Sequence, residues 1–423
     1  MCNNHMTAKW TCLRTSSPVD RLGAILCSRV GKVGGLLAGR YLPEALIARR
    51  FIRVQDEMTV VSANERRLLR LIWRQPGISR SEINEYTDLT QQSVHRILDH
   101  LAERKIIVLG SAKAGLGRGQ PSPMLHLNGS FAYACGISVN TDIIGICIID
   151  LAGNVVGERE VPLLNTTMQV ALRSVKNQVV ELQQQNNLAD DDLFGIGFAI
   201  AGYHVEGTRH NAPLPLREWS MIELGPIVSD LFSRPVWVIN GGKSGAVAES
   251  MFGIGRFTSD FAYLSFNYGF GGGVIIDGEL LQGGRGNAGE FSGLYDEIET
   301  ERRPALQYLI DQINRNGVNV PSIHYMRRHF DPEWPGVSEW VETVTPAYNR
   351  LVNAIRSTLD PKAIVFGGQI PHMLASMLIE RTKIFDRPRY GVHRGGPELV
   401  ISEISTDAAA MGAAIIPFRR MFY

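Results

Sequence analysis

Between Ser62 and Leu127 the chain spells three helix starts in quick succession, and this series constrains the fold more than any other feature. Ser62-Ala-Asn-Glu65 has the pattern of a capping box, in which the serine hydroxyl accepts the N3 amide and the glutamate reaches back to the cap. Leu68, Leu71 and Ile72 follow at helical spacing, and Pro76-Gly77 stops the run. Ser79-Arg-Ser-Glu82 is a second capping box, predicting a helix to about Thr87, and Thr90 is placed as the N-cap of a third. In that third helix Val94, Ile97, Leu98 and Leu101 share one side, which leaves Gln92, Arg96 and Asp99 together on the opposite face, flanked by Ser93 and His100. Residues 106–109 then read as a short strand, 110–119 as a basic, glycine-rich turn and 124–127 as the return strand. Three helices and a hairpin, in that order, make a winged helix-turn-helix.

A chain of 423 residues exceeds what one hydrophobic core organises, so more domains follow. Residues 1–57 hold nine Lys/Arg against four Asp/Glu, residues 58–128 ten against six, and the remainder 24 against 32. A basic front on an acidic body fits a nucleic-acid-binding module joined to a small-molecule domain. No stretch has the length and apolarity of a membrane span, so no membrane partner is expected. Three of the five cysteines, Cys2, Cys12 and Cys27, precede the helices, and none lies in a CxxC pair. Neither a disulfide framework nor a zinc ribbon is expected, and a reducing, cytoplasmic setting is. Residues 1–57 lack clean periodicity and read as a poorly ordered extension upstream of a start at Met58. The expected division is therefore 1–57, a DNA-binding head over 58–128, and a body over 129–423.

In the body the pattern becomes α/β. Residues 133–139, 143–149 and 155–161 read as strands joined by short turns, 170–182 as a helix and 194–200 as a buried strand. A similar series begins with strands at 236–239, 261–265 and 273–276. It continues with helices at 305–313 and 337–359, a strand at 363–366 and a closing helix near 408–415. The two halves read as one three-strand-then-helix unit used twice.

The stretch from Asn267 to Glu290 is the most informative in the body. Its glycines permit close backbone approach to an oxygen-rich ligand, and Glu290 at its end can accept hydrogen bonds from sugar hydroxyls. The segment Asn240-Gly-Gly-Lys-Ser-Gly-Ala-Val-Ala-Glu249 precedes it. With Gly117-Arg-Gly-Gln-Pro121, Leu125-His-Leu-Asn128 and Gly367-Gly368, these motifs make the chain from Ser62 onward resemble the ROK family of sugar kinases and sugar-responsive repressors. The resemblance implies an α/β, two-lobed actin/hexokinase-like domain behind the winged helix-turn-helix, which the 117–121 segment is expected to join to the body.

Kinases of this family carry an Asn-Asp pair where Asn240-Gly241 stands, the Asp acting as general base. Their Asp-x-Gly-Gly-Thr phosphate loop corresponds to Ser138-Val-Asn-Thr-Asp142, and their Gly-Glu-x-Gly-His signature to Gly289-Glu-Phe-Ser-Gly293. Their zinc-binding cysteines have no counterpart. These losses imply a sugar-responsive transcriptional regulator, a repressor, that is not an enzyme and uses no cofactor or metal; the alternative reading is a ROK-type sugar kinase with an appended DNA-binding domain. The resemblance places Gly202, Asn211, Asn240, Gly241 and Glu290 around the effector, although Asn240 is equally suited to cap the helix that follows it. On the head, Thr90, Gln91, Gln92, Ser93 and Arg96 are the expected DNA-facing residues, since Arg can read guanine and Gln adenine in the major groove. Arg118 and Gln120 are expected to form a minor-groove arm. The partners implied are a palindromic double-stranded operator, a sugar or sugar derivative, and a second copy or copies of the chain as a homodimer or tetramer.

Overall fold

The computed structural model describes residues 40–41, 52–54, 57–112, 123–163 and 165–423. Three short strands come first: β1 (Arg40–Tyr41), β2 (Ile52–Val54) and β3 (Glu57–Thr59), the last two paired as an antiparallel ribbon. The expected boundary at 57/58 falls inside β3.

The head follows as α1 (Ala63–Arg74), β4 (Ile78–Ser79), α2 (Arg80–Glu85), α3 (Gln91–Glu103), β5 (Ile107–Ala112) and β6 (Pro123–Leu127). Both capping boxes form. The Ser62 hydroxyl accepts the Glu65 amide at 3.4 Å while the Glu65 carboxylate accepts the Ser62 amide at 2.6 Å, and Ser79 and Glu82 repeat the exchange at 3.2 and 2.8 Å. A cap of this kind contributes about 1 kcal/mol, so the three starts define three short helices that tertiary packing then holds. β6 pairs antiparallel with both β4 and β5, closing a three-stranded wing sheet. β5 and β6 pair directly, so the head joins the body after β6, through the 3-10 turn Gly129–Phe131, and residues 117–121 of the expected linker lie outside the described residues.

The first lobe contains β7 (Tyr133–Val139), β8 (Ile143–Asp150), β9 (Val155–Pro162), α4 (Met168–Gln185), β10 (Leu193–Ile200), the hairpin β11 (Tyr203–Glu206) and β12 (Arg209–Asn211), α5 (Leu224–Phe232), β13 (Val236–Asn240) and α6 (Gly241–Phe252). The second contains β14 (Phe261–Phe266), β15 (Phe270–Ile276), β16 (Glu279–Leu280), α7 (Leu306–Arg315), α8 (Ile323–His329), α9 (Val337–Leu359), β17 (Ala363–Gly368), α10 (His372–Glu380) and β18 (Glu398–Ile401). The closing helix α11 (Ala408–Met421) returns to the first lobe.

The first sheet runs β9-β8-β7-β10-β13, with β1 on its outer edge, and the second β16-β15-β14-β17-β18. In each, the first three strands of the lobe pair antiparallel and the next two add in parallel. The duplication is therefore topological. It also corrects the strand bookkeeping: β13 is the fifth strand of the first sheet, and the second unit opens at β14 with the two-residue β16 as its third strand.

Helix α11 lies directly on β7 and β10. Gly136 and Gly197 face it, and a Cβ at either would overlap the carbonyl oxygens of Ala410 and Ala413. Only glycine allows this approach, which seats the N-terminus of α11 against the turn after β7. There Asp407 accepts the amides of Ala409 and Ala410 and the Asn140 side-chain amide at 2.9–3.1 Å. The cleft between the lobes opens at this end.

Candidate functional site

A cavity of about 320 Å³ lies between the lobes. Its walls come from strand ends and turns: Asn140–Asp142 after β7, Gly202 after β10, the β13–α6 junction, the β14–β15 hairpin and the loop carrying Glu290. All five residues expected around the effector, Gly202, Asn211, Asn240, Gly241 and Glu290, line it.

Asn240 ends β13 and caps α6. Its Oδ1 accepts the Lys243 amide at 3.0 Å and its Nδ2 donates to Gly202 O at 2.8 Å, so the capping and site readings meet in one side chain. Gly202 has φ +106°, and a Cβ there would overlap the Asn211 carbonyl; a side chain at 202 would force the cleft wall apart. Asn211 is exposed and donates to the Tyr203 hydroxyl at 2.6 Å, on the β11–β12 hairpin that the sequence did not announce. Gly241 differs from these glycines. The nearest heavy atom to a Cβ built on it is Ile200 O at 3.7 Å, so the backbone there tolerates a side chain and simply lacks one.

Two buried acceptors in this lining, Glu290 Oε1 and Asn267 Oδ1, have no hydrogen-bond partner among the described residues. Buried polar atoms are normally paired, and these two suit a ligand rich in hydroxyl donors. Burial raises the Glu290 pKa, opposed by the Lys243 ammonium. Lys243 is itself only 2% exposed, donates to Gly286 O, and has a pKa brought down to about 8 by burial, with Glu290 opposing. Asn267 was visible only as the first residue of the glycine-rich run, and Lys243 as one letter of the α6 motif. Asp142 stood only at the end of the segment matched to the kinase phosphate loop, and the sequence offered no signal for Arg303 and Gln369, which also line the cleft, because each arrives from a different element. Among the described residues no group of three His, Cys, Asp or Glu side chains is placed to hold a metal ion.

On the head, Thr90 caps α3: its hydroxyl accepts the Ser93 amide at 3.3 Å and donates to Ser93 Oγ at 2.9 Å. Gln91, Gln92 and Arg96 are exposed, and among the described residues their side chains make no hydrogen bond or ion pair. Their neighbours are engaged within the head, Asp99 with Arg80 at 2.6 Å and His100 with Glu65 at 2.9 Å. Glu65 is 5% exposed; burial would raise its pKa, but hydrogen bonds from Ser62 and His100 and the Arg104 charge outweigh that and lower it. The free part of α3 is thus its N-terminal half, the part that enters a groove in helix-turn-helix proteins. Arg118 and Gln120 lie outside the described residues.

Residues 134–297 match the ROK family and residues 61–115 the MarR family. An uncharacterized protein of Sinorhizobium fredii, y4fQ, is 27% identical over 369 residues, covering 86% of this chain and 92% of its own. The xylose repressors of Bacillus spizizenii and Bacillus subtilis are each 26% identical over 239 residues, 56% of this chain. The chain spans 62% of the length of those repressors. A solved ROK family transcriptional regulator, a homolog of the Escherichia coli MLC protein, shares the fold with a TM-score of 0.64 at 20% identity, over 84% of this chain and 95% of that one. With two lobes of identical strand order behind a three-helix, three-strand head, the chain carries a ROK-family segment over residues 134–297 and a MarR-type winged helix-turn-helix in front of it.

Proposed function

We propose that the protein is a DNA-binding transcriptional regulator whose ROK domain binds a sugar or sugar derivative without phosphorylating it. The observation that carries this reading is the pair of unpartnered buried acceptors, Glu290 Oε1 and Asn267 Oδ1, in a cleft also lined by Gly241, the position that the family resemblance matches to the kinase base. Hydroxyl donors would satisfy both atoms, and no carboxylate stands at 241 to take a proton from the bound hydroxyl. Asn240 and Asn211 present further amide groups to the same ligand, with Gly202 and Gly241 leaving room for it.

Thr90, Gln91, Gln92, Ser93 and Arg96 form the face of α3 that meets the operator, with Arg118 and Gln120 reaching an adjacent minor groove. Two heads on a symmetric homodimer or tetramer contact related half-sites. Sugar binding shifts the balance between two arrangements of the heads and releases the operator, which requires only different affinities for the two states. The named repressors make xylose the first sugar to try.

The test has three arms on the purified chain. A thermal-shift screen of pentoses, hexoses and their phosphates identifies the ligand, since binding to the native state raises the melting temperature. Selection from random duplexes yields the operator, and addition of the sugar is expected to release it. ATP-dependent phosphorylation of any sugar in the panel would overturn the non-catalytic reading.

A further inference from the structure

Where α1 of the head meets the body lies a second cavity of about 800 Å³. Its lining holds four arginines, Arg70, Arg74, Arg256 and Arg419, and one acid, Glu279. Arg70 and Arg74 come from α1, Arg256 from the turn after α6, and Arg419 from the last turn of α11. Glu279 is shared, one oxygen 3.0 Å from Arg70 and the other 2.6 Å from Arg419, so it ties head to body and neutralises only part of the charge. Arg74 and Arg256 make no side-chain hydrogen bond or ion pair among the described residues, and both are exposed to the cavity. Arg74 Nη2 lies against the β15–β16 turn, where a Cβ on Gly278 would sit 2.5 Å from it. Burial lowers the Arg419 pKa, and the positive charges of Arg70 and Arg420 push the same way. Trp73 and Tyr423, with ring centroids 6.0 Å apart, form an apolar wall, and Phe257 stands 85% exposed at the rim.

We propose that this cavity binds a small molecule bearing two or more phosphoryl groups, held between the head and the body. Four guanidiniums against one carboxylate leave an excess of three positive charges. A phosphoryl group carries roughly −1.5 to −2 at neutral pH, so two match the excess. Arginine is the side chain suited to bidentate contact with phosphoryl oxygens, and the two free forks line the same cavity from the head and from the body. The volume is that of a small-molecule site. A DNA backbone does not fit it equally well, because the Arg419 side chain is only 14% exposed and is held by Ser250, Gly278 O and Glu279.

The experiment titrates the full chain with inorganic pyrophosphate and with a hexose bisphosphate by calorimetry at fixed ionic strength. It is repeated on Arg74→Ala, Arg256→Ala and, as a control for net charge, Arg173→Ala on the exposed face of α4, with melting curves to verify folding. Saturable binding is expected, weakened about tenfold by Arg74→Ala and by Arg256→Ala, the loss that one charge-assisted contact carries, and unchanged by Arg173→Ala. Absence of saturable binding overturns the proposal, as does equal weakening by Arg173→Ala. If Arg74→Ala and Arg256→Ala instead lower operator affinity and its salt dependence while pyrophosphate does not bind, the cavity serves DNA phosphates and the small-molecule assignment is wrong.

Discussion

Acidification tests a buried, neutral histidine in the first lobe. His210 sits on β12, 2% exposed, with its ring edge-on to His204 at 5.6 Å and its Nδ1 3.4 Å from Thr208 O. Burial brings its pKa down to about 4; His204 and Lys243 push in the same direction, and the contact with Thr208 opposes them. Because the folded pKa lies below the unfolded value of about 6.5, the unfolded chain takes up the proton first as the pH falls. The stability contribution is therefore complete above pH 6.5 and is lost between there and pH 4. At pH 5 the unfolded state has gained about 1.5 units of protonation free energy that the native state has not, or about 2 kcal/mol at 1.36 kcal/mol per unit.

Urea unfolding at pH 7 and pH 5 measures this loss when wild type is compared with His210→Leu and His210→Gln. Each variant has its own stability at pH 7, but each is expected to lose about 2 kcal/mol less than wild type on going to pH 5. Groups whose pKa is raised by burial, Glu290 and Asp407 among them, respond in the opposite sense and cancel in the difference. The His210 Cε1 proton resonance gives the folded pKa directly. Equal losses in all three proteins, or a resonance titrating near 6.5, would refute the reasoning and remove His210 from the acid response. Since β12 ends in Asn211 at the cleft, sugar affinity is expected to fall over the same pH range.

Four further outcomes test the sites. Asn240→Ala removes the α6 cap, about 1 kcal/mol by melting, and is expected to abolish sugar binding while operator affinity in a mobility-shift titration holds. Gln92→Ala and Arg96→Ala are each expected to weaken operator binding by about 1–3 kcal/mol and to relax preference at one base pair per half-site, read by selection on randomised duplexes. Gly241→Asp is expected to fold, given the open space around position 241, and still to transfer no phosphate from ATP, because Ser138–Asp142 lacks the phosphate-loop pattern; a phosphorylated sugar product would refute this. Arg118→Ala is expected to weaken operators with A·T-rich flanks more than G·C-rich ones and to lower the salt slope, and indifference to flank composition would make that residue an ordinary turn charge.

The head was nearly complete in the sequence because its signals are local. A capping box is a contact over three residues, and Ser62, Ser79 and Thr90 each cap the helix that the pattern named. The strands of the body were legible for a similar reason: β7 runs over the residues read from alternation and turns, and α9 over those read from helical period. Sheet membership was not local. The apolar run 236–240 is next in sequence to the second lobe, yet its partner is β10, a choice made by the parallel register Ile196–Val236 across the first sheet. The hairpin β11–β12 escaped notice because its residues are short, mixed and largely exposed, with no buried face to impose a period. In the cleft, Asn240 and Glu290 stood in recognisable motifs, whereas Arg303 and Gln369 are joined to them only by the folding of separate elements.

The way the head is mounted decides how a cleft event can reach it. Leu68, Leu69 and Ile72 of α1 and Leu125 of β6 belong to one apolar cluster with Phe194, Phe418, Phe422 and Tyr423. Phe131 meets Phe422 edge-on at 5.9 Å, and the Tyr423 hydroxyl donates to Leu151 O. Close-packed interiors of this kind move as units, so the head travels with the first lobe and with α11. Its contact with the second lobe is of another kind: Arg70 to Glu279 at 3.0 Å, with side chains 42% and 49% exposed. An exposed pair is worth at most about 1 kcal/mol, so a lobe rotation can break Arg70–Glu279 at little cost, whereas the same Glu279 stays tied to the 14%-exposed Arg419 of α11 at 2.6 Å. A ligand that closes the cleft draws on contacts from both lobes, with Asn240 and Asn211 on one side and Asn267 and Glu290 on the other. Closure is therefore expressed at the head as a shift of the second lobe along the Arg70–Glu279 seam, not as a change inside the winged helix. On this argument, Arg70→Ala, which removes the exposed pair and leaves Arg419–Glu279 in place, alters the coupling between sugar and operator while leaving sugar affinity and head stability near wild type.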